Sequence, residues 1–150
     1  MRNIVLVIKK LLAKHNLHKP YSGGLNSYSI VLMTSTFLEK FGINNISALS
    51  KNLTEFLKFF GHYFDPSSHG LDGTKFFQLS QDQREKNEHI YILDIQNSQN
   101  NTSRSAFRIY EIKRVFREAY ASIIKKMISF REQKDPKVKL SIKIIEDLLY

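Results

Sequence analysis

The residues best suited to chemistry surround Gly23-Gly24-Leu25-Asn26-Ser27-Tyr28. Two glycines break one apolar-periodic segment, and a Ser-Tyr pair then opens the next. Glycines supply a tight bend and let a ligand approach the backbone closely. Ser27 brings a hydroxyl, and Tyr28 an aromatic face of the kind on which nucleobases stack. Lys9 adds a cation nineteen residues before Tyr28, on the preceding helical segment. Taken alone, the stretch also matches a plain loop entering a helix.

Other constellations carry less. His15 and His18 sit three apart near a helix end with no third metal ligand close by, which marks them as surface residues. His62, Asp65 and His69 straddle a turn and read as structural. The serines have no His-Asp arrangement that spacing can support, and no phosphate-binding Gly-x-x-x-x-Gly-Lys loop occurs. A basic helix face carrying Arg108, Lys113, Arg114, Arg117, Lys125 and Lys126 either tracks an RNA backbone or is simply solvated.

The elements that must position these groups follow from periodicity. Apolar residues at 4, 5, 8, 11 and 12 predict a helix over 3–16, ended by His18-Lys19-Pro20. A second helix is expected over about 25–41, with Ile30, Leu32, Met33, Phe37 and Leu38 inward and Gly42 as its C-terminal cap. A third, capped by Ser47 or Ser50, runs to Phe64 with Leu53, Phe56, Leu57 and Phe60 on one face. Asp72-Gly73 predicts a small hairpin over 71–77. Residues 80–89 read as a polar loop, 89–93 as extended, and 94–101 as another loop. Ser103 or Ser105 is expected to cap a long helix with apolar positions 109, 112, 115, 116, 119, 120, 123, 124 and 127. Asp135-Pro136 then breaks it before a last helix over 138–149. The fold class is thus mainly α with one small β element, and no alternating βα pattern supports a Rossmann-type fold.

Composition sets the outer bounds. A chain of 150 residues is one domain by size. The absence of cysteine excludes disulfides and thiolate metal sites. Ile4-Val5-Leu6-Val7-Ile8 is too short to span a bilayer, so no membrane partner is expected. The net charge of +9 exceeds what solubility needs and points toward a polyanionic partner.

Several ordered blocks together resemble a known family. They are Val5-Leu6-Val7-Ile8-Lys9, then Tyr21-Ser22-Gly23-Gly24-Leu25-Asn26-Ser27-Tyr28-Ser29, then Phe56 to Asp65 and Gly70-Leu71-Asp72-Gly73. Ile92-Leu93-Asp94 and Asn100-Asn101-Thr102-Ser103-Arg104-Ser105-Ala106-Phe107 complete the series, which covers roughly residues 2–125. The chain resembles the central, PAP-associated domain of noncanonical poly(A) polymerases of the TRAMP-complex type, within the polymerase-β-like nucleotidyltransferases. The resemblance implies a helical central domain over 1–131, with a C-terminal helical extension over 132–150.

It also implies a nucleotide site. Lys9 matches the family lysine that contacts the triphosphate, Ser27 the serine that hydrogen-bonds the phosphates, and Tyr28 the tyrosine that stacks on the incoming base. Some relatives carry a second lysine at the position of Ala13; Lys10 and Lys14 do not point the same way on an ideal helix. The loop from Asp94 resembles the nucleotide-recognition motif, with Asp94, Asn101 and Arg104 at matching positions. It departs in having Ile95 for the usual proline and Ser103 for the usual glycine. Asn100 stands where uridylylating relatives carry histidine, which favours ATP over UTP.

The family's catalytic carboxylates lie in a separate palm domain with a Gly-Ser motif and an Asp-x-Asp/Glu motif. Neither motif is found here in a suitable place, so no catalytic residue is assigned and the chain is expected to be inactive alone. The implied function is the nucleotide- and RNA-binding part of a template-independent RNA adenylyltransferase, with ATP as substrate and Mg²⁺ or Mn²⁺ held by the palm. The implied partners are RNA, the catalytic palm of the same protein, a zinc-knuckle RNA-binding protein and an RNA helicase, in the nucleus. The rival is a palm-less, non-catalytic RNA- or protein-binding scaffold.

Overall fold

The computed structural model describes residues 1–42, 48–133 and 143–148, the last two residues of the middle stretch by backbone alone. Helix α1 (Arg2–Lys14) is followed by a 3₁₀ turn (Pro20–Ser22), then α2 (Ser27–Phe41) and α3 (Leu49–Lys58). A π-helical turn (Phe59–Tyr63) continues α3. Strands β1 (His69–Leu71) and β2 (Phe76–Gln78), the short helix α4 (Gln81–Lys86), strand β3 (Tyr91–Ile92) and the long helix α5 (Ile109–Gln133) complete the order. Residues 143–148 form a further helical segment. The mainly helical class expected from the sequence holds.

Helix–helix packing builds the core. Ile4, Val5, Ile8, Leu11 and Leu12 of α1 are buried, as their spacing requires. They join Leu32, Met33 and Phe37 of α2, Leu53, Phe56 and Leu57 of α3, and Ile112, Val115, Phe116 and Ile123 of α5 in one cluster. Phe37, Phe56, Phe60 and Phe116 pack mostly edge-to-face or tilted, with Phe56 and Phe60 centroids 4.7 Å apart and Phe56 and Phe116 5.8 Å apart. Ile144 and Leu148 of the C-terminal segment are buried in the same cluster.

Several local expectations are corrected. The β element exceeds a hairpin: β3 adds parallel to β1, giving a three-stranded sheet of order β2-β1-β3. Residues 80–89 are not all loop, because α4 forms there. Its N-terminus carries a full capping box, in which Ser80 Oγ accepts from the Gln83 amide while Gln83 Oε1 accepts from the Ser80 amide. α2 begins at Ser27 because Asn26 caps it, its side chain accepting from the Ser29 amide at 2.7 Å. α3 starts from Ala48 without a side-chain cap, so Ser50 lies inside the helix; Ser47 is outside the described residues. α5 begins at Ile109, several residues beyond the serines expected to cap it. Of the expected last helix, 138–142 and 149 lie outside the described residues.

The basic face of α5 also resolves. The π-turn and the chain beyond it leave carbonyls without helical partners. Arg117 donates to the Gly61 carbonyl at 3.1 Å, and Lys113 Nζ donates to that of Phe64. Arg108 forks onto Glu111 with two 2.7 Å bonds, Arg114 lies 3.7 Å from Glu111, and Lys126 pairs with Asp147 at 2.6 Å. Most of the stripe is therefore committed within the chain rather than simply solvated, which leaves less of it to track an RNA backbone.

Candidate functional site

The site is assembled where α1, the start of α2 and the 94–104 loop meet. The chain leaves α1 and turns back through the glycine pair. Gly23 has φ +84°, and a Cβ there would lie 2.5 Å from the Phe107 ring. A Cβ at Gly24 would overlap the Leu17 carbonyl. The glycines do make the bend, but the close approach they permit is taken by the chain itself, not by a ligand. Leu25 N–H then bonds to the Leu17 carbonyl at 3.0 Å, which fixes where α2 can begin.

Lys9 and Ser27 line one groove of about 290 Å³, together with Leu6, Lys10, Ala13 and His18. Lys9 is half-buried and Ser27 exposed. Neither Lys9 nor Lys10 makes an ion pair or hydrogen bond with any described residue. Lys10, judged by ideal-helix geometry to point elsewhere, thus reaches the groove, while Ala13 occupies the position of the second family lysine. His18 is also corrected: instead of a surface residue it is a half-buried groove wall, with Nδ1 buried and unpartnered.

Tyr28 stands on the next residue of α2, its side 41% exposed and its hydroxyl donating to Asp94 Oδ1 at 3.0 Å. Asp94 also accepts from the Gln96 amide at 2.9 Å and from Asn100 Nδ2 at 3.4 Å. The Gln96 bond, with those from Tyr28 and Asn100, holds the Asp94 carboxyl below the usual carboxylate range. The same contact raises the Tyr28 hydroxyl, which stays protonated as a donor. The ring is therefore anchored at one end and open on its surface.

The loop has two faces because Leu93 and Asn101 form an antiparallel bridge, across which side chains alternate. Asn100 falls on the Tyr28 side. Asn101 falls on the other, where its Oδ1 accepts from the Ile92 and Ser103 amides and its Nδ2 donates to the Ile90 carbonyl at 2.9 Å. Both ends of that amide are engaged in shaping the loop. Arg104 is exposed, has no partner among the described residues, and lines a second, polar pocket of about 330 Å³ with Asn101, His89, Tyr91 and Gln99. The seven residues expected at the site thus form three adjoining groups: Lys9 with Ser27, Tyr28 with Asp94 and Asn100, and Asn101 with Arg104.

Residues outside the expected set hold the loop to α2. Asn26 Nδ2 donates to the Thr102 carbonyl at 2.8 Å. The Ser29 hydroxyl, wholly buried, meets Thr102 Oγ1 at 2.9 Å and accepts from Ser103 Oγ at 2.6 Å. One signal was available: Ser29 is a polar residue one step ahead of the apolar Ile30-Val31-Leu32-Met33 run.

No three His, Asp or Glu side chains cluster to hold a metal ion among the described residues. The Asp65 carboxylate instead closes its own turn through Ser67 and Ser68. No described helix is long and apolar enough to cross a membrane.

Comparison with known proteins agrees with this architecture. No family model matches the chain. It is 26% identical over 143 residues to Poly(A) RNA polymerase CID14 of Cryptococcus neoformans, covering 88% of this chain and 19% of that protein. It is 34% identical over 74 residues to the Inactive noncanonical poly(A) RNA polymerase protein Trf4-2 of Drosophila melanogaster, covering 45% of this chain and 18% of that one. The chain therefore spans less than a fifth of the length of these curated relatives. Among solved structures, the polymerase core of TRAMP, a RNA surveillance complex, superposes with a TM-score of 0.82 at 24% identity, covering 99% of this chain and 50% of that one. The resemblance to the central domain of noncanonical poly(A) polymerases stands in sequence, and the fold is that of half of the TRAMP polymerase core.

Proposed function

We propose that this chain is the nucleotide- and RNA-binding central part of a template-independent RNA adenylyltransferase, which adds AMP from ATP to RNA 3′ ends. The observation that carries the proposal is the meeting of Lys9 and Ser27 in one groove beside an open, hydroxyl-anchored Tyr28 ring. Lys9 offsets the triphosphate charge as a compact cation. Ser27 donates to a phosphate oxygen, Tyr28 stacks on the base, and Asn100, held toward Asp94, meets the base edge and favours adenine. Asn101 keeps the loop in shape, and Arg104 extends the charged surface beyond it.

The metal ions used in such transfers stabilise the attacking and leaving oxygens. The carboxylates of the described residues do not form a set that fits them, so the proposal places Mg²⁺ or Mn²⁺ on a palm domain supplied outside this chain. With that palm, the RNA 3′ hydroxyl attacks the α-phosphate and pyrophosphate leaves. Residues 1–131 form the nucleotide-recognising unit in this reading, and 132–150 an extension. RNA, a zinc-knuckle RNA-binding protein, a helicase and a nuclear setting belong to the same proposal, by likeness to the TRAMP polymerase.

Acylation of the lysines with and without ATP tests it. ATP should slow labelling of Lys9 several-fold and leave Lys125 unchanged, and Tyr28→Ala should remove the protection. Equal labelling of Lys9 in both conditions, with a palm supplied, would refute it.

A second reading, a non-catalytic scaffold, is favoured by one observation: a relative sharing 34% identity over 74 residues carries the name of an inactive polymerase. In that reading Tyr28→Ala leaves partner binding intact and the Lys9 groove binds no nucleotide.

A further inference from the structure

Two aromatic side chains near the glycine bend are largely exposed. Tyr21, in the 3₁₀ turn, is 80% exposed, and Phe107 is 56% exposed. They flank the same turn: Phe107 lies over Gly23, two residues along the chain from Tyr21. The Gly23 carbonyl also accepts from the Arg108 amide at 3.1 Å, which ties this turn to the approach to α5. His89 meets Phe107 in an edge-to-face contact with centroids 6.3 Å apart. His89 in turn is a wall of the second polar pocket, with Tyr91, Gln99, Asn101 and Arg104. Phe107, His89 and the Arg104 pocket therefore form one strip by contact, and the turn that bears Tyr21 adjoins it at Gly23.

The N-terminal segment that leads into this strip carries charge of one sign. Residues 1–38 contain Arg2, Lys9, Lys10, Lys14 and Lys19 and no Asp or Glu. None of the five is in an ion pair among the described residues, and Lys19 sits 5.7 Å over the Tyr21 ring. Glu88, 3.8 Å from His89, is the carboxylate at the pocket. Aromatic faces interleaved with uncommitted cations suit unpaired nucleotides, whose bases stack while the backbone phosphates meet the cations.

We propose that this strip is a stacking path for single-stranded RNA, with Tyr21 and Phe107 as platforms and the pocket at Arg104 receiving a further nucleotide. It deepens the function proposed above and rests on that reading's RNA partner, but not on the ATP groove.

Fluorescence anisotropy of a labelled oligoadenylate on the whole chain tests it. Tyr21→Ala and Arg104→Ala alter exposed side chains and leave the fold intact by circular dichroism. Each should weaken oligoadenylate binding about fivefold or more, the scale of one lost base stack. Tyr21→Ala should do so without changing the salt slope, while Arg104→Ala should lower it. Tyr63→Ala, exposed but remote in sequence on the π-turn, should bind as the parent does, and so should Tyr21→Ala with duplex RNA. Binding that ignores both strip variants, or that falls equally with Tyr63→Ala, overturns the strip alone. An absence of any oligoadenylate binding overturns the strip and the RNA part of the proposed function together. ATP protection of Lys9 separates that outcome from failure of the nucleotide site.

Discussion

The staple between α2 and the recognition loop makes the sharpest energetic prediction. Ser29 is fully buried and Ser103 is 3% exposed, and their hydroxyls meet at 2.6 Å. Ser103→Ala removes one neutral hydrogen bond and leaves Ser29 with Thr102 alone. Ser29→Ala leaves the buried Ser103 donor unpaired, while Thr102 keeps the Ile92 carbonyl at 3.2 Å. Each single change should cost roughly 1–3 kcal/mol, Ser29→Ala toward the upper end because of the orphaned donor. The better helix propensity of alanine at 29 offsets up to about 0.5 kcal/mol of that. At roughly 2–4 °C per kcal/mol for a domain of this size, either variant should lower Tm by several degrees. The double variant removes both partners, so the singles should exceed additivity by about 0.5–2 kcal/mol. Urea unfolding at fixed m-value supplies the four stabilities. Additive singles, or singles without cost, would refute the idea that this pair holds the loop to α2.

Other outcomes follow from the same geometry. Gly24→Ala should destabilise more than a typical surface change, about 2 kcal/mol or more by urea unfolding, because its Cβ meets the fixed Leu17 carbonyl. Gly23→Ala should cost roughly 1–2 kcal/mol through its positive φ, plus displacement of Phe107. Ser80→Ala should destabilise α4 by about 1 kcal/mol, read as faster amide exchange at Arg84, with global Tm unchanged because α4 buries nothing. The Asp94 carboxyl is depressed below its ordinary 3.8 in the fold, so its support for the loop is complete above that value and fades as pH falls through the lowered one. Tyr28 ring resonances should therefore shift below about pH 4, and Asp94→Asn should abolish that acid transition.

How much was legible depends on how local the cause is. The helix periods of α1 and α5 read correctly because their apolar stripes are buried as spaced, α2 was legible as an apolar run buried on several sides, and Asp72-Gly73 marked its turn. α4 was missed because it buries no side chain, so periodicity was blind to it; the Ser80-Gln83 capping box was the signal available. β3 was read only as extended because its partner residues on β1 lie twenty-one residues upstream and pair in parallel. The α5 basic stripe looked free because the carbonyls that take Arg117 and Lys113 become orphans only once the π-turn forms. At the site, Lys9, Ser27 and Tyr28 were legible through spacing and resemblance. Asn26, Ser29 and Thr102 were not, since their role is to pair with each other across more than seventy residues.

The central claim is that the start of α2 and the Lys9 groove bind ATP, and titration of ATP and UTP onto the chain tests it most directly. The account predicts saturable ATP binding, weaker UTP binding, and a loss of about fivefold or more with Tyr28→Ala, the scale of a lost base stack. Lys9→Ala should weaken ATP more than adenosine, and Tyr21→Ala should change neither. Tyr28→Ala binding ATP as tightly as the parent, or ATP binding unmoved by Lys9→Ala, would contradict it.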